Sequence, residues 1–468
     1  MIFKPSIRLL LPLSLLSHLI LLFFTRFTLW PEMVVYPYLL NHGFLLYRDI
    51  INPYPPLLAF KLSIFATIFG YQPAPYQILA WLLILITDVA IFLAAAKITK
   101  SPKKALAVTL FFIVLSIPFG VNGLWYDLVQ TPFIIVAVYF FGRYLEKKID
   151  NVDLLVSAVS LAVAFFIKQQ ALWLILWFLA VLVYRKWKDK KNLLRAVFIM
   201  VAPILIGLGL EILYVVQKGI FQDFVTWTVY LPFFKASQMP GYVLLPTLRQ
   251  AATVALLFLI FTPVVLKRNF PQIFYLSTAV VLLLFAYPRF DFFHLIPSLS
   301  ILALVFALSI NDFQKQKSLG AIISLGALVF FSLVTASYLK SNWTREVRFF
   351  EKDVSKAADV LQKVNPKGKP IFLQNVSGQI LVISQTLPTK PWADSFPWYL
   401  EMPAVQANII GGILNEKPDI VVYKPYTGMG KYQIASYRPQ KVADFLDQNY
   451  KEVLKIDGNL QLKARLFK

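Results

Sequence analysis

Long apolar runs alternate with short polar loops over most of the chain. The runs fall at 8–26, 75–96, 105–119, 128–143, 153–167, 171–185, 196–216, 248–266, 271–287, 295–310 and 319–338. About 20 apolar residues in a helix cover roughly 30 Å of hydrocarbon, so the pattern predicts an α-helical polytopic membrane domain with about eleven spans. The pair 153–167 and 171–185 is parted only by Lys168–Gln170 and is also compatible with one broken hairpin. The segment 57–70, LLAFKLSIFATIFG, is short and has Lys61 in its middle. A lysine at the bilayer centre costs roughly 2.5–3.5 kcal/mol, so this segment is expected to lie along the membrane interface.

From Lys340 onward the pattern changes. Residues 351–364 place Val354, Ala357, Ala358, Leu361 and Val364 on one helical face. Pro370–Gln374 and Asp419–Tyr423 read as short buried strands, Val405–Leu414 and Val442–Tyr450 as helices, and Leu460–Phe467 as a closing strand. Alternating strands and helices predict a small α/β domain at 341–468, following a membrane domain at 1–340 whose first outer loop is 27–74.

Charge supplies the orientation. If 57–70 does not cross, each multi-lysine loop falls on one side: Lys4 and Arg8, KITKSPKK (97–104), Arg143 with Lys147 and Lys148, RKWKDKK (185–191), Lys267 and Arg268, and Lys315 with Lys317. Basic loops face the cytoplasm. The N-terminus is then cytoplasmic, and the loop after the first helix and the C-terminal domain are extracytoplasmic. The run Leu9–Phe24 resembles a signal peptide, but Arg26, Phe27 and Trp30 follow it instead of a small-residue cleavage site, so a retained anchor is expected.

Composition agrees with this reading and removes others. Soluble domains are roughly 45–50% apolar and about 25% charged; this chain of 468 residues is 58% hydrophobic and 15% charged. The net charge of +22 sits in the short loops, so nucleic acid is not the expected partner. Cysteine is absent, which excludes disulfides, thiol nucleophiles and cysteine-ligated metals, and the three histidines (His18, His42, His294) are scattered. No GxGxxG, Walker, HExxH or GxSxG pattern occurs.

The groups able to do chemistry gather in the outer loops. Trp30–Leu57 (WPEMVVYPYLLNHGFLLYRDIINPYPPL) carries Glu32, Tyr47, Arg48 and Asp49. A partly desolvated carboxylate there is a candidate general base for a hydroxyl acceptor. Equally, both acids could be solvated loop residues, and Arg48 could pair locally with Asp49 and lower its pKa. Trp125, Tyr126 and Asp127 open the fourth span, where an acid also suits the helix dipole. Asp88 and Glu211 lie inside spans; each is a functional candidate or the partner of a nearby Tyr or Trp. Lys61, Lys168 (followed by Gln169), Arg289 and His294 are the cations on the outer side, suited to a lipid-linked phosphate. Snorkelling toward headgroups is the other explanation for such cations.

Glu32, Gly43, Tyr47-Arg48-Asp49, Pro55-Pro56-Leu57 and Phe69-Gly70, with the later W-Y-D (125–127), K-Q (168–169) and Y-P-R-F…H (287–294), resemble the GT-C glycosyltransferases over roughly residues 1–340. Within them the resemblance is to the branch with protein O-mannosyltransferases and bacterial aminoarabinose transferases. It implies an integral membrane enzyme that moves a sugar from a polyprenyl-phosphate donor to a lipid, glycan or protein acceptor on the extracytoplasmic face, usually with inversion. It implies a first-loop acid as base, here Asp49 ahead of Glu32, with Asp127 as a helper. Arg289, His294, Lys168 and Lys61 take the donor phosphate; Arg48, Tyr47, Trp125, Tyr126 and Gln169 take the substrate. Some members need a divalent cation and others do not; no metal motif stands in this sequence. Two other functions remain at this level: a transporter or flippase of a lipid-linked or anionic solute, and a surface-glycan ligase or polymerase. A transporter would be expected to show internal repeats, and none is apparent.

Overall fold

The apolar runs become helices. In the computed structural model these are α1 (Pro5–Phe24), α2 (Pro31–Asn41), α3 (Leu57–Phe69), α4 (Pro73–Thr99), α5 (Pro102–Ser116), α6 (Tyr126–Glu146), α7 (Asn151–Ile167), α8 (Leu172–Lys186), α9 (Lys190–Gln217), α10 (Phe221–Val225), α11 (Leu248–Leu259), α12 (Phe270–Val281), α13 (Ile296–Lys315) and α14 (Leu319–Asn342). The structure describes residues 5–146, 151–239, 242–261, 269–315, 319–393, 397–400, 402, 404–424, 439–457 and 460–466. The loop cations Lys4, Lys147, Lys148, Lys267, Arg268 and Lys317, and the end of the run 248–266, lie outside these residues. Among the described residues, five helical stretches are long and apolar enough to cross a membrane: Ile7–Phe24, Pro73–Thr99, Tyr126–Glu146, Lys190–Gln217 and Phe292–Ile310. The protein is therefore a multi-pass membrane protein.

The chain forms two compact units. The first comprises Met1–Phe27, Gln77–Leu210 and Leu245–Arg345; the second comprises Thr28–Tyr76, Glu211–Leu244 and Glu346–Lys468.

The first unit is helical. Its helices turn apolar stripes outward: Leu9, Leu13, Leu16 and Ile20 on α1, and Ile78, Leu82 and Ile86 on α4, are all exposed. Residues three or four apart share one helix face, and an exposed apolar face of this kind is what lipid solvates. Inside, small residues allow close approach. Ala137 on α6 faces α7, where the Ser157 hydroxyl donates to the Ala137 carbonyl at 2.9 Å. Phe141 and Phe178 stack at 4.0 Å with Phe274 beside them. A polar pair is also buried here: His18 Nδ1 on α1 is 2.7 Å from Asp88 Oδ2 on α4, and neither residue is exposed. The partner of Asp88 is thus a histidine 70 positions away, not a neighbouring Tyr or Trp.

The second unit contains the small α/β layer. Strands β1 (Phe372–Gln374), β2 (Ile420–Tyr423), β3 (Tyr450–Asp457) and β4 (Leu460–Arg465) form a sheet in the order β1-β2-β4-β3. β1 and β2 are parallel, with Phe372 opposite Val421; β4 runs antiparallel to both β2 and β3. Helices α15 (Lys352–Val364), α16 (Gln379–Ser384), α17 (Pro397–Leu400), α18 (Val405–Glu416) and α19 (Gln440–Asn449) accompany it. On α15 the predicted face is buried at Val354, Ala357, Ala358 and Leu361, while Val364 at the helix end is half exposed.

The first-loop residues fold within this unit. The stretch PEMVVYPYLLN, read from sequence as part of a loop, is helix α2, started by Pro31 and nearly all buried. Its Tyr36 ring meets Trp392 edge-on at 6.0 Å, and the Tyr38 hydroxyl donates to the Thr386 carbonyl at 3.2 Å. The aromatic stretch after α9 is helical too: α10 runs into a π-helix, Thr226–Lys235.

Candidate active-site groups

Two clusters of charged side chains stand out, one in each unit.

In the first unit Asp127 is the second residue of α6 and is fully buried. Its Oδ2 accepts from Lys168 Nζ at 2.7 Å and lies 2.7 Å from His294 Nδ1; its Oδ1 accepts from Gln130 Nε2 at 3.1 Å. Lys168 Nζ and His294 Nδ1 are 3.4 Å apart. A carboxylate only accepts, so Nδ1 carries the proton and Nε2 is the imidazole's free-facing nitrogen. Each member is placed by local sequence. The α6 N-terminus favours a carboxylate in its first turn. Lys168 follows the last residue of α7, where the backbone becomes extended before the next short turn. His294 sits in a short 3₁₀ turn, Phe292–Leu295, that begins where Asp291 accepts from Phe292 N. Aromatic rings wall the cluster: Trp125 lies 6.0 Å from Phe293, and Phe293 packs on the His294 ring at 4.1 Å. Tyr126 meets Trp125 edge-on.

Lys168 is 1% exposed, so it does not reach for headgroups. Its charge is spent on Asp127, and with a neutral imidazole the Asp–Lys–His group sums to zero. Arg289 is half buried in the same loop and acts electrostatically on His294. Gln169 lies in the turn after Lys168, and Gln170 donates to the Tyr287 carbonyl.

In the second unit the first loop is stitched to residues 390–392. Asp49 O accepts from Trp392 N at 2.8 Å, and Ile51 N donates to Trp392 O at 3.1 Å. Asp49 Oδ2 accepts from Leu45 N at 2.9 Å and from Lys390 Nζ at 3.2 Å. Both bonds fall on one oxygen; no described donor reaches Oδ1, and the side chain keeps 15% of its exposure. Lys390 also lies 4.4 Å over the Phe44 ring. The local Arg48–Asp49 pair considered from sequence does not form. Arg48 turns instead to Asp223, at 3.2 Å, and to the Gly219 carbonyl. Tyr47, next in the chain before Arg48, holds φ +72°, a left-handed conformation that costs a bulky residue roughly 1–2 kcal/mol. It is held by Tyr47 N to Ile50 O at 2.8 Å, its hydroxyl to Tyr54 O at 3.0 Å, and an edge contact with Phe224. Non-glycine residues kept in this region cluster at functional sites. Gly43, at φ +82°, ends α2 a few residues earlier.

Glu32 is 3% exposed in the first turn of α2. Lys61 is exposed on α3 and belongs to neither cluster. Among the described residues no three His, Asp or Glu side chains converge in a way that could hold a metal ion. Lys390, Trp392 and Asp223 were not candidates from sequence; each meets its partner across well over a hundred residues, and no spacing rule reaches that far.

Residues 53–207 match the dolichyl-phosphate-mannose-protein mannosyltransferase family. No curated protein matches the chain by sequence. Among solved structures it is similar to ArnT from Cupriavidus metallidurans bound to undecaprenyl phosphate, with 11% identity, TM-score 0.57 and 98% of each chain covered. It is also similar to the archaeal oligosaccharyltransferase AglB from Archaeoglobus fulgidus in complex with an inhibitory peptide and a dolichol-phosphate, with 12% identity, TM-score 0.61, and 96% of this chain and 73% of that one covered. The chain shares the fold of these membrane proteins.

Proposed function

We propose that this protein is a membrane glycosyltransferase that moves a sugar from a polyprenyl-phosphate donor to a hydroxyl- or amine-bearing lipid, glycan or protein acceptor on the extracytoplasmic face. The observation that carries the chemical part is Asp49. Its Oδ2 is fixed by Leu45 N and Lys390, and no donor among the described residues reaches Oδ1. A carboxylate oriented by two donors on one oxygen suits a general base. In the step, the acceptor oxygen or nitrogen bonds to the sugar anomeric carbon, the bond from that carbon to the phosphate oxygen breaks, the acceptor proton passes to Asp49, and polyprenyl phosphate leaves.

The other roles follow from residue type and place in the first unit. Arg289 is assigned to the leaving phosphate, helped by His294 through Nε2. Lys168 and Asp127 act behind His294, fixing its Nδ1 proton and ring. Glu32 is the second candidate for the base. A divalent cation, if the reaction uses one, has no ready-made ligand cluster among the described residues.

The test is sugar transfer by the purified chain in proteoliposomes containing polyprenyl-phosphate sugars. Asp49→Asn is expected to lower the rate by about 100-fold or more, with expression and unfolding temperature kept. If instead Glu32→Gln is the inactive variant, the base is Glu32. Full activity in both single variants and the double variant would end the first-loop assignment. Solute flux across the vesicle without any transfer would favour a transporter.

A further inference from the structure

At the far end of α6 from Asp127 the first unit contains a cavity of about 780 Å³. Asp127 is in the first turn of this helix and Arg143 in the last. At 1.5 Å per residue the two lie about 24 Å apart, so the cavity is separate from the cluster around Asp127. α1, α4 and α6 wall it, with Pro102 at the start of α5. Most of its lining is apolar, including Leu93, Ala96, Ile135 and Val136, while Lys97, Lys100 and Arg143 stand at its edge.

Such an edge is a sorted arrangement. Lys97 and Lys100 are exposed. Arg143 is fixed in place, with Nε 3.3 Å from Asp153 Oδ2 and its guanidinium over the Tyr139 and Phe140 rings. Three cations against one carboxylate leave the edge positive. A basic rim alone is what any cytoplasmic loop of a membrane protein shows. Here the rim borders an apolar cavity between helices. That combination fits an amphiphile with a negative head and a hydrocarbon tail. Basic pockets between membrane helices take anionic headgroups in this way.

We infer that this cavity is a binding site for an anionic glycerophospholipid, its phosphate at Lys97, Lys100 and Arg143 and one acyl chain against Leu93, Ala96, Ile135 and Val136. The site uses none of the residues assigned to sugar transfer and does not depend on that assignment.

Native mass spectrometry of the delipidated full chain in detergent, titrated with phosphatidylglycerol and with phosphatidylcholine of equal chain length, tests it. Phosphatidylglycerol is expected to bind in a saturable one-to-one complex and phosphatidylcholine much more weakly. Lys97→Gln/Lys100→Gln changes two exposed side chains and should weaken phosphatidylglycerol binding about 30-fold, from roughly a fivefold loss per basic group. Ala96→Trp fills the cavity but keeps every charge, and should abolish the one-to-one complex. Equal binding of the two lipids, or unchanged affinity in both variants, would overturn the proposal. Displacement of phosphatidylglycerol by sub-stoichiometric polyprenyl phosphate would overturn it in favour of the polyprenyl carrier.

Discussion

At the scale of single residues, the pair with the most at stake is Asp127–Lys168. Both side chains are almost fully buried, at 2.7 Å. Removing one partner of such a pair leaves a buried charge without compensation, which costs about 3–5 kcal/mol. Asp127→Asn is therefore expected to lower the thermal unfolding midpoint in detergent sharply, and Lys168→Met likewise. Asp127→Asn/Lys168→Met leaves no orphan charge and should recover much of the loss. A double-mutant cycle on the midpoints and unfolding free energies measures the coupling; additive single effects would show that the two charges do not depend on each other. Residue type made these groups legible. A lysine, an aspartate and a histidine beside apolar runs stand out in sequence, because hydrocarbon tolerates them only with partners. What the sequence left open was who pairs with whom. Lys168 read as a phosphate ligand on its type and position, and its short contact with Asp127 spends the charge that reading relied on.

At the scale of elements, placement of Lys390 is the instructive case. Helix α18 holds the backbone of residue 390 from one face: Gly412 lies against the Lys390 carbonyl, and Glu416, one turn on, accepts from Lys390 N at 3.0 Å. A Cβ at Gly412 would come within 1.8 Å of that carbonyl oxygen. Gly412→Ala must therefore push segment 390–392 aside, and with it the ammonium that orients Asp49. Small misplacements of a reacting group can cost up to about 100-fold in rate, so this variant is expected to lose transfer activity although it touches no proposed reacting group. Gly411→Ala next to it is the control. Nothing lies within 4 Å of its would-be Cβ, and replacing glycine inside a helix gains roughly 0.5–1 kcal/mol. Steady-state rates and unfolding midpoints of the two variants check the contrast; equal activity would mean that α18 does not position Lys390. Helix α15 was readable because its burial follows the helix period, and the strand Ile420–Tyr423 because it is a short unbroken apolar run. Helix α2 was not. It is buried on nearly all sides and has Pro31 and Pro37 in its sequence, so neither an apolar stripe nor the absence of prolines marked it as helical.

At the scale of the whole molecule, the absence of cysteine makes the orientation directly measurable. The positive-inside rule applied to the multi-lysine loops leads to the expectation that RKWKDKK (185–191) is cytoplasmic and the α/β layer outside. Lys188, in the turn between α8 and α9, and Asp359, on the outer face of α15, are both exposed. A single cysteine at either position is the only thiol in the chain, so a membrane-impermeant maleimide added to intact cells or right-side-out vesicles reports one site without background. Asp359→Cys is expected to label at once. Lys188→Cys should label only after the membrane is permeabilised. Both substitutions sit on solvated surface, where changes usually shift stability by no more than about 0.5 kcal/mol, so the fold that is probed stays the native one. Labelling of Lys188→Cys in sealed vesicles, with Asp359→Cys labelled only after permeabilisation, would reverse the orientation. The α/β layer and the first-loop acids would then face the cytoplasm, and a transferase acting on an extracytoplasmic acceptor would no longer be tenable.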